Sequence, residues 1–266
     1  MISVNTFRSL HKLLHPHVSV HSGIPPVLTG GLLVFMALFC ATTYILPSPL
    51  ESLSLSAATV KNFEPNRLTW YPLLHYNIFH LILCSYLLYP MLAAFEKFNG
   101  TVRTAIVLNA LATVAGVMYI LSQLAMFSDS SVIGSSVWVF SLYAYFAYKE
   151  SLKTPTVYVS ASLTFPTWGS PILPFIIVSV VFPGPSFFIH LFALVAGYLL
   201  AMDYLKFMTD PSSKVVQYIE GKLDGVIDLI PPKIRYIKEA DAIEIRREVV
   251  SASLPLYDLP RPETEG

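Results

Sequence analysis

Long apolar runs alternate along this chain with short polar joints. An α-helix needs about 20 apolar residues to cross the hydrocarbon of a bilayer. No Asp, Glu, Lys or Arg lies between Lys12 and Glu51, and the apolar run 27–46 inside that window ends at Pro47 and Pro49. Further runs follow at 70–95, closed by Glu96 and Lys97, at 104–127, and at 132–148, closed by Lys149. The stretch between Lys153 and Asp203 is also free of charge, and it is too long for one span. Pro183-Gly184-Pro185 divides it into 168–182, interrupted by Pro171 and Pro174, and 186–204. The pattern predicts an all-α membrane protein of six spans.

Beyond the last span the pattern changes. Val215, Ile219, Leu223, Val226, Ile227 and Ile230 recur at helical spacing, which predicts a short amphipathic helix over 214–230, lying on the membrane surface. After Pro231-Pro232 the charges are mixed, and the Pro-rich polar end is expected to be disordered. Three regions result: a cytosolic segment 1–26, a membrane domain 27–206, and a cytosolic tail 207–266.

Composition agrees. Only 13% of the residues are charged and 54% are hydrophobic, with a mean hydropathy of +0.59, against about 25% charged in a soluble domain. The net charge of zero points to no nucleic-acid partner. From Asp203 onward lie nine of the 17 basic and 12 of the 17 acidic residues, so the charge sits in the tail. The two cysteines, Cys40 and Cys84, fall in apolar runs and form neither a disulfide framework nor a zinc ribbon. Short-loop Lys and Arg favour the chain start (Arg8, Lys12) and the joints after the second (Lys97, Arg103) and fourth (Lys149, Lys153) spans. Lys61 and Arg67 after the first span oppose them. By the positive-inside rule both ends are cytosolic.

Ionisable residues inside spans are candidates for function. Here they are His75 and His80 in the second span and His190 in the sixth, with Ser131, Ser135 and Ser136 at the mouth of the fourth. On this topology the second, fourth and sixth spans run the same way, so these residues share a depth near the non-cytosolic face. His75 and His80 are five apart, about 140° around a helix, unlike the three- or four-residue spacing of metal ligands. No metal or other cofactor is expected. The four histidines His11, His15, His17 and His21 read as a solvated chain start. A proton-coupled transporter would need a buried carboxylate relay, which the spans lack. A nucleophile and base need only a Ser and a His from different helices, and Ser136 with His190 satisfies that.

These residues resemble the rhomboid intramembrane serine proteases, and within them the fungal Golgi-type subgroup. Gly134-Ser135-Ser136 matches the Gly-x-Ser motif opening the fourth span, and His190, Ala193 and Gly197 match the sixth. His75 and His80 match the paired histidines of the second span, and Arg67 the arginine eight residues before them. Glu96 with Gly100-Thr101 matches the joint before the third span. The tail stretch 219–231 resembles the fungal Golgi subgroup in particular. The resemblance implies a six-helix rhomboid-like bundle with Ser136 as nucleophile and His190 as its base, a dyad without an orienting Asp. It implies an oxyanion site from the Ser136 N–H and His80, Gly134 letting backbones pack near the elbow, and Phe140 packing on the histidine. Substrates would be single-pass transmembrane proteins cut near the luminal end of their span, in the Golgi membrane, and the tail is where a cytosolic partner would bind. Two positions depart from the family: Cys84 stands where an Asn oxyanion donor is usual, and Val137 where Gly follows the serine. A thiol is a weak donor. The alternative is therefore a weak or inactive relative that binds transmembrane segments for trafficking or quality control.

Overall fold

The computed structural model describes residues 25–45, 48–158, 164–181, 184, 186–231 and 234–253. The histidine-rich start, the prolines of the Pro183-Gly184-Pro185 joint and the chain end expected to be disordered lie outside them. Helix α1 is Val27–Ile45. Three short helices follow in the first joint: α2 (Ser48–Leu53), α3 (Ala58–Lys61) and α4 (Arg67–Trp70), the last running into a 3₁₀ turn at Tyr71–Leu73. The membrane domain continues with α5 (Ile78–Asn99), α6 (Thr101–Ala125), α7 (Ser136–Ser151), α8 (Ile172–Val181) and α9 (Ser186–Ala201). The tail carries α10 (Lys206–Thr209), α11 (Ser213–Ile227) and α12 (Glu239–Ser253).

Among the described residues α1, α5 and α6 are long and apolar enough to cross a membrane. A fourth candidate is α9 taken together with the helices after it, a pair bent by 86°. The expected fourth and fifth spans are shorter, at 16 residues for α7 and 10 for α8. Helix α7 starts at Ser136 rather than near Val132 because Gly134 has φ +122°, outside any right-handed helix. The second span is also shorter than expected. Asn77 caps α5, its side chain accepting from the His80 N–H, so 74–77 are non-helical and His75 precedes the helix. The 140° argument against a shared site therefore does not apply: the rings of His75 and His80 lie 5.2 Å apart. The all-α expectation also needs correction, because Thr156–Tyr158 (β1) pairs antiparallel with Thr164–Pro166 (β2). Apart from Pro166 at the end of β2, both consist of β-branched and aromatic residues, suited to strands.

Helices α6, α7 and α9 form the centre of the bundle. Trp138 on α7 donates from Nε1 to the Leu108 carbonyl of α6 at 2.9 Å, and Ser141 donates to the Ala193 carbonyl of α9 at 2.8 Å. A Cβ on Gly197 would collide with the Ser141 carbonyl. Without a hydrophobic force between helices in lipid, small residues and such hydrogen bonds hold spans together.

The tail is built into the domain, beyond the surface helix expected there. Val27 donates its N–H to the Arg235 carbonyl at 3.0 Å, and Thr101 donates its own to Ile237 at 2.9 Å. Glu239 is fully enclosed and pairs with Arg103 of α6 at 2.7 Å. Arg103 also pairs with Asp210, and Arg246 approaches Glu239 at 3.6 Å. Beside this cluster the buried Glu96 accepts from the N–H groups of Leu28 (3.0 Å) and Thr29 (2.8 Å) and the hydroxyls of Thr29 (2.7 Å) and Thr101 (2.8 Å). A buried carboxylate persists only with such a donor set. One end of the bundle is thus tied by two carboxylates to the starts of α1 and α6 and to α12.

Breaking a buried pair from one side strands the other charge and costs about 3–5 kcal/mol. Arg103→Met should therefore lower the thermal midpoint in detergent clearly, and the double variant Arg103→Met/Glu239→Met should recover most of it. Equal midpoints for Arg103→Met and the parent chain would show that the tail cluster does not support the fold.

Candidate active site

The segment before α7 is held in place by backbone bonds. Leu55 and Val132 exchange N–H···O bonds at 3.0 and 2.9 Å, and Gly134 donates its N–H to the Tyr71 carbonyl at 2.9 Å. Tyr71 is itself anchored by its hydroxyl on the Ala112 carbonyl of α6 at 2.9 Å. The positive φ of Gly134 is costly for an L side chain. A Cβ there would also stand 2.6 Å from Cε1 of His80. Gly134 therefore lies against the Tyr71 backbone through its N–H and against the His80 ring on the side a Cβ would occupy.

Two Ser–His pairs stand side by side. His190 Nε2 lies 2.9 Å from Ser136 Oγ, and His75 Nε2 lies 3.0 Å from Ser135 Oγ. His75 Nδ1 faces the Leu73 carbonyl at 3.3 Å. A carbonyl only accepts, so Nδ1 carries the proton and Nε2 accepts from Ser135. The pairs differ in access: Ser135 and His75 are 0% exposed, so no substrate reaches them, whereas Ser136 is partly exposed. Exposure thus separates the two adjacent serines, and the Ser135–His75 bond is a contact that residue spacing had not suggested. Ser131 is exposed at the segment's edge, its carbonyl accepting from the Tyr76 hydroxyl at 3.4 Å.

The remaining expected residues gather here. The Phe140 ring packs on His190 at 4.7 Å between centroids, and Phe175 of α8 packs edge-on against Phe140 at 6.3 Å. His80 projects from the first turn of α5, its ring stacked with Tyr76 at 5.9 Å. Cys84, one turn further on, is buried and meets the Ser135 side chain and the Ser136 backbone. Among the described residues the buried Nδ1 atoms of His80 and His190 have no hydrogen-bond partner. No group of three His, Cys, Asp or Glu among the described residues is placed to hold a metal ion. Ser136 is the first residue of α7, so the oxygen of an adduct on it would meet N–H groups that lack acceptors within their own helix, at the positive end of its dipole. Tyr76 and Asn77 were overlooked in the sequence. Asn77 was legible, as an Asn directly before an apolar helical run is an N-cap signal.

A serine and a histidine lie within hydrogen-bond distance inside an apolar helical bundle, and comparison with known proteins gives the family. The Rhomboid domain model matches residues 62–207. The chain is 41% identical over 223 residues to Rhomboid-type serine protease 2 of Yarrowia lipolytica, covering 84% of this chain and 75% of that one. It is 34% identical to the protein of the same name from Saccharomyces cerevisiae, covering 82% and 83%, and 35% identical to that of Candida albicans, covering 85% and 81%. The chain belongs to the rhomboid family of serine proteases. It is an integral membrane peptide hydrolase, and its substrates are transmembrane proteins met within the bilayer.

The Gly134 geometry can be tested directly. Gly134→Ala adds about 1–3 kcal/mol of backbone strain and pushes on His80. If that strain is carried into the transition state, turnover of a transmembrane reporter should fall at least about fivefold, since about 1.4 kcal/mol is tenfold in rate. Unchanged turnover would show that neither the left-handed backbone nor the His80 approach matters.

Proposed function

We propose that this rhomboid protease cuts single-pass transmembrane proteins near the luminal end of their span, using Ser136 and His190 as its dyad. The observation that carries the reading is the 2.9 Å Ser136–His190 pair at a partly exposed serine. His190 Nε2 takes the Ser136 proton as Oγ attacks the scissile carbonyl. The tetrahedral oxyanion is held by the Ser136 N–H, the α7 N-terminus and His80. His190 then returns the proton to the leaving amine, and water, activated by the same nitrogen, hydrolyses the acyl-enzyme. Phe140 keeps the imidazole in register. Ser135 is turned away onto His75 and serves as a support.

The topology is six crossings with both ends cytosolic, α7 and α8 being the short ones. On that topology the dyad opens toward the lumen. Golgi residence is supported by the likeness of the 219–231 stretch to the fungal Golgi subgroup. Substrates enter beside α8, whose Ile176, Ile177 and Val180 face outward and whose entry is broken by Pro171. A substrate helix must unwind before Ser136 reaches a carbonyl, so Gly or Pro near its luminal boundary favours cleavage. The non-catalytic alternative, raised by Cys84 and Val137, is the weaker reading, since Ser136 and His190 are both present and paired.

Ser136→Ala should abolish cleavage of a transmembrane reporter in proteoliposomes, by at least about 10³-fold, and remove labelling by a serine-reactive fluorophosphonate. Ser135→Ala should keep the labelling. Equal loss in both, or persistent cleavage in Ser136→Ala, overturns the assignment.

Cys84→Asn should raise turnover with an unchanged cut site, by adding a donor to the oxyanion, where one such bond is worth about 10²-fold or more. Lower turnover in a normally folded variant would show that the buried thiol belongs to this site's packing.

A further inference from the structure

Helix α11 leaves the end of a candidate span at nearly a right angle, the bend being 86°. With α9 across the bilayer, α11 runs along its plane. Its rotation about its own axis is fixed by the inner face. Val216 and Glu220 are buried there, Glu220 accepts the Glu239 N–H at 3.0 Å, and Ser213 donates to the Glu239 carboxylate at 3.1 Å. The same carboxylate holds Arg103 of α6, so the helix cannot roll without giving up its two bonds to an anchored Glu239.

This anchorage leaves an apolar stripe uncovered. Val215, Tyr218 and Val226 fall within about 80° of arc at 100° per residue, and they are 49%, 67% and 61% exposed. Lys222 sits in the middle of the stripe with Nζ 5.6 Å above the Tyr218 ring. Its ammonium thus lies over the stripe's aromatic ring, a cation–π contact at the stripe itself. The polar residues Gln217, Asp224 and Asp228 take the opposite edge. Tyr204 and Phe207, in the joint between α9 and α11, are exposed as well, at 69% and 83%.

We propose that α11 is an interfacial helix, whose Val215–Tyr218–Val226 stripe is seated in the headgroup and acyl boundary of the leaflet where α9 ends. The occupant is phospholipid because the stripe lies on a helix that follows a candidate span after a short joint and runs nearly at right angles to it, the placement of an in-plane helix. Charge sharpens the ligand. Between Lys206 and Asp228 three lysines (206, 214, 222) are offset by Asp210, Asp224, Asp228 and Glu220, of which Glu220 is buried. The exposed charges balance, so the apolar stripe and not anionic headgroups drives the contact. The inference rests on membrane insertion and is independent of which serine is the nucleophile.

Both native cysteines are buried, so nitroxide labels on the full chain can be directed to Tyr218→Cys, Val226→Cys and Asp224→Cys. After reconstitution into phosphatidylcholine vesicles, relaxation by oxygen and by an aqueous nickel chelate reads the depth of each label. Labels at 218 and 226 should favour oxygen, and the label at 224 should favour nickel. The contrast should be the same when phosphatidylserine is added. Equal nickel access at 226 and 224 overturns the proposal by placing the stripe in water. Protection of 218 and 226 from both reagents overturns it by placing protein, such as a second copy, on the stripe. A contrast seen only with phosphatidylserine overturns the apolar basis.

Discussion

The contact of α7 with α9 is the constraint on which the active geometry depends. Ser136 and His190 lie 54 residues apart in sequence, and a 2.9 Å bond between them requires two backbones to approach closely. Gly197 permits that approach by leaving room for the Ser141 carbonyl, and Ser141 adds a hydrogen bond to Ala193. In lipid no water is available to satisfy a carbonyl left facing a gap, so a poorly packed pair of spans would lose hydrogen bonding as well as dispersion contacts. The same contact carries Phe140 onto the His190 ring.

A second layer of organisation governs the segment leading into Ser136. It is held by the Leu55–Val132 bridge and the Gly134–Tyr71 bond, both made by backbone groups. Ser135 and His75 fill the space behind it and are closed to solvent. The consequence is a division of labour between neighbouring hydroxyls: one is locked into the scaffold, the other is left at the surface of the site. Chemically the two serines are the same, and only their surroundings distinguish them.

At the far end the bundle is held by charge. Glu96 gathers four donors from the starts of α1 and α6, and Arg103 meets Glu239 from the tail. Enclosed carboxylates are unforgiving of lost partners, so these contacts couple the position of the tail to that of the membrane helices. The tail is therefore part of the folded unit through Glu239 and α12.

What the sequence determined by itself was the membrane character of the chain, and it singled out candidates for the site. Apolar runs between Pro and charged joints can only be satisfied as helices in lipid, and histidines there stand out against an uncharged background. Ser136 and His190 could be singled out as candidates because a nucleophile and its base need only a Ser and a His from different helices. Tertiary structure decided what depends on partners distant in the chain. The enclosure of Ser135 by His75 could not be read from spacing, since it follows from where 74–77 leave the helix. Neither could the role of Glu96 and Glu239, because a carboxylate at the end of an apolar run looks solvated until its donors arrive from elsewhere. The start of α7 was likewise set by the backbone turn at Gly134, which is held by the Tyr71 carbonyl from a distant part of the chain.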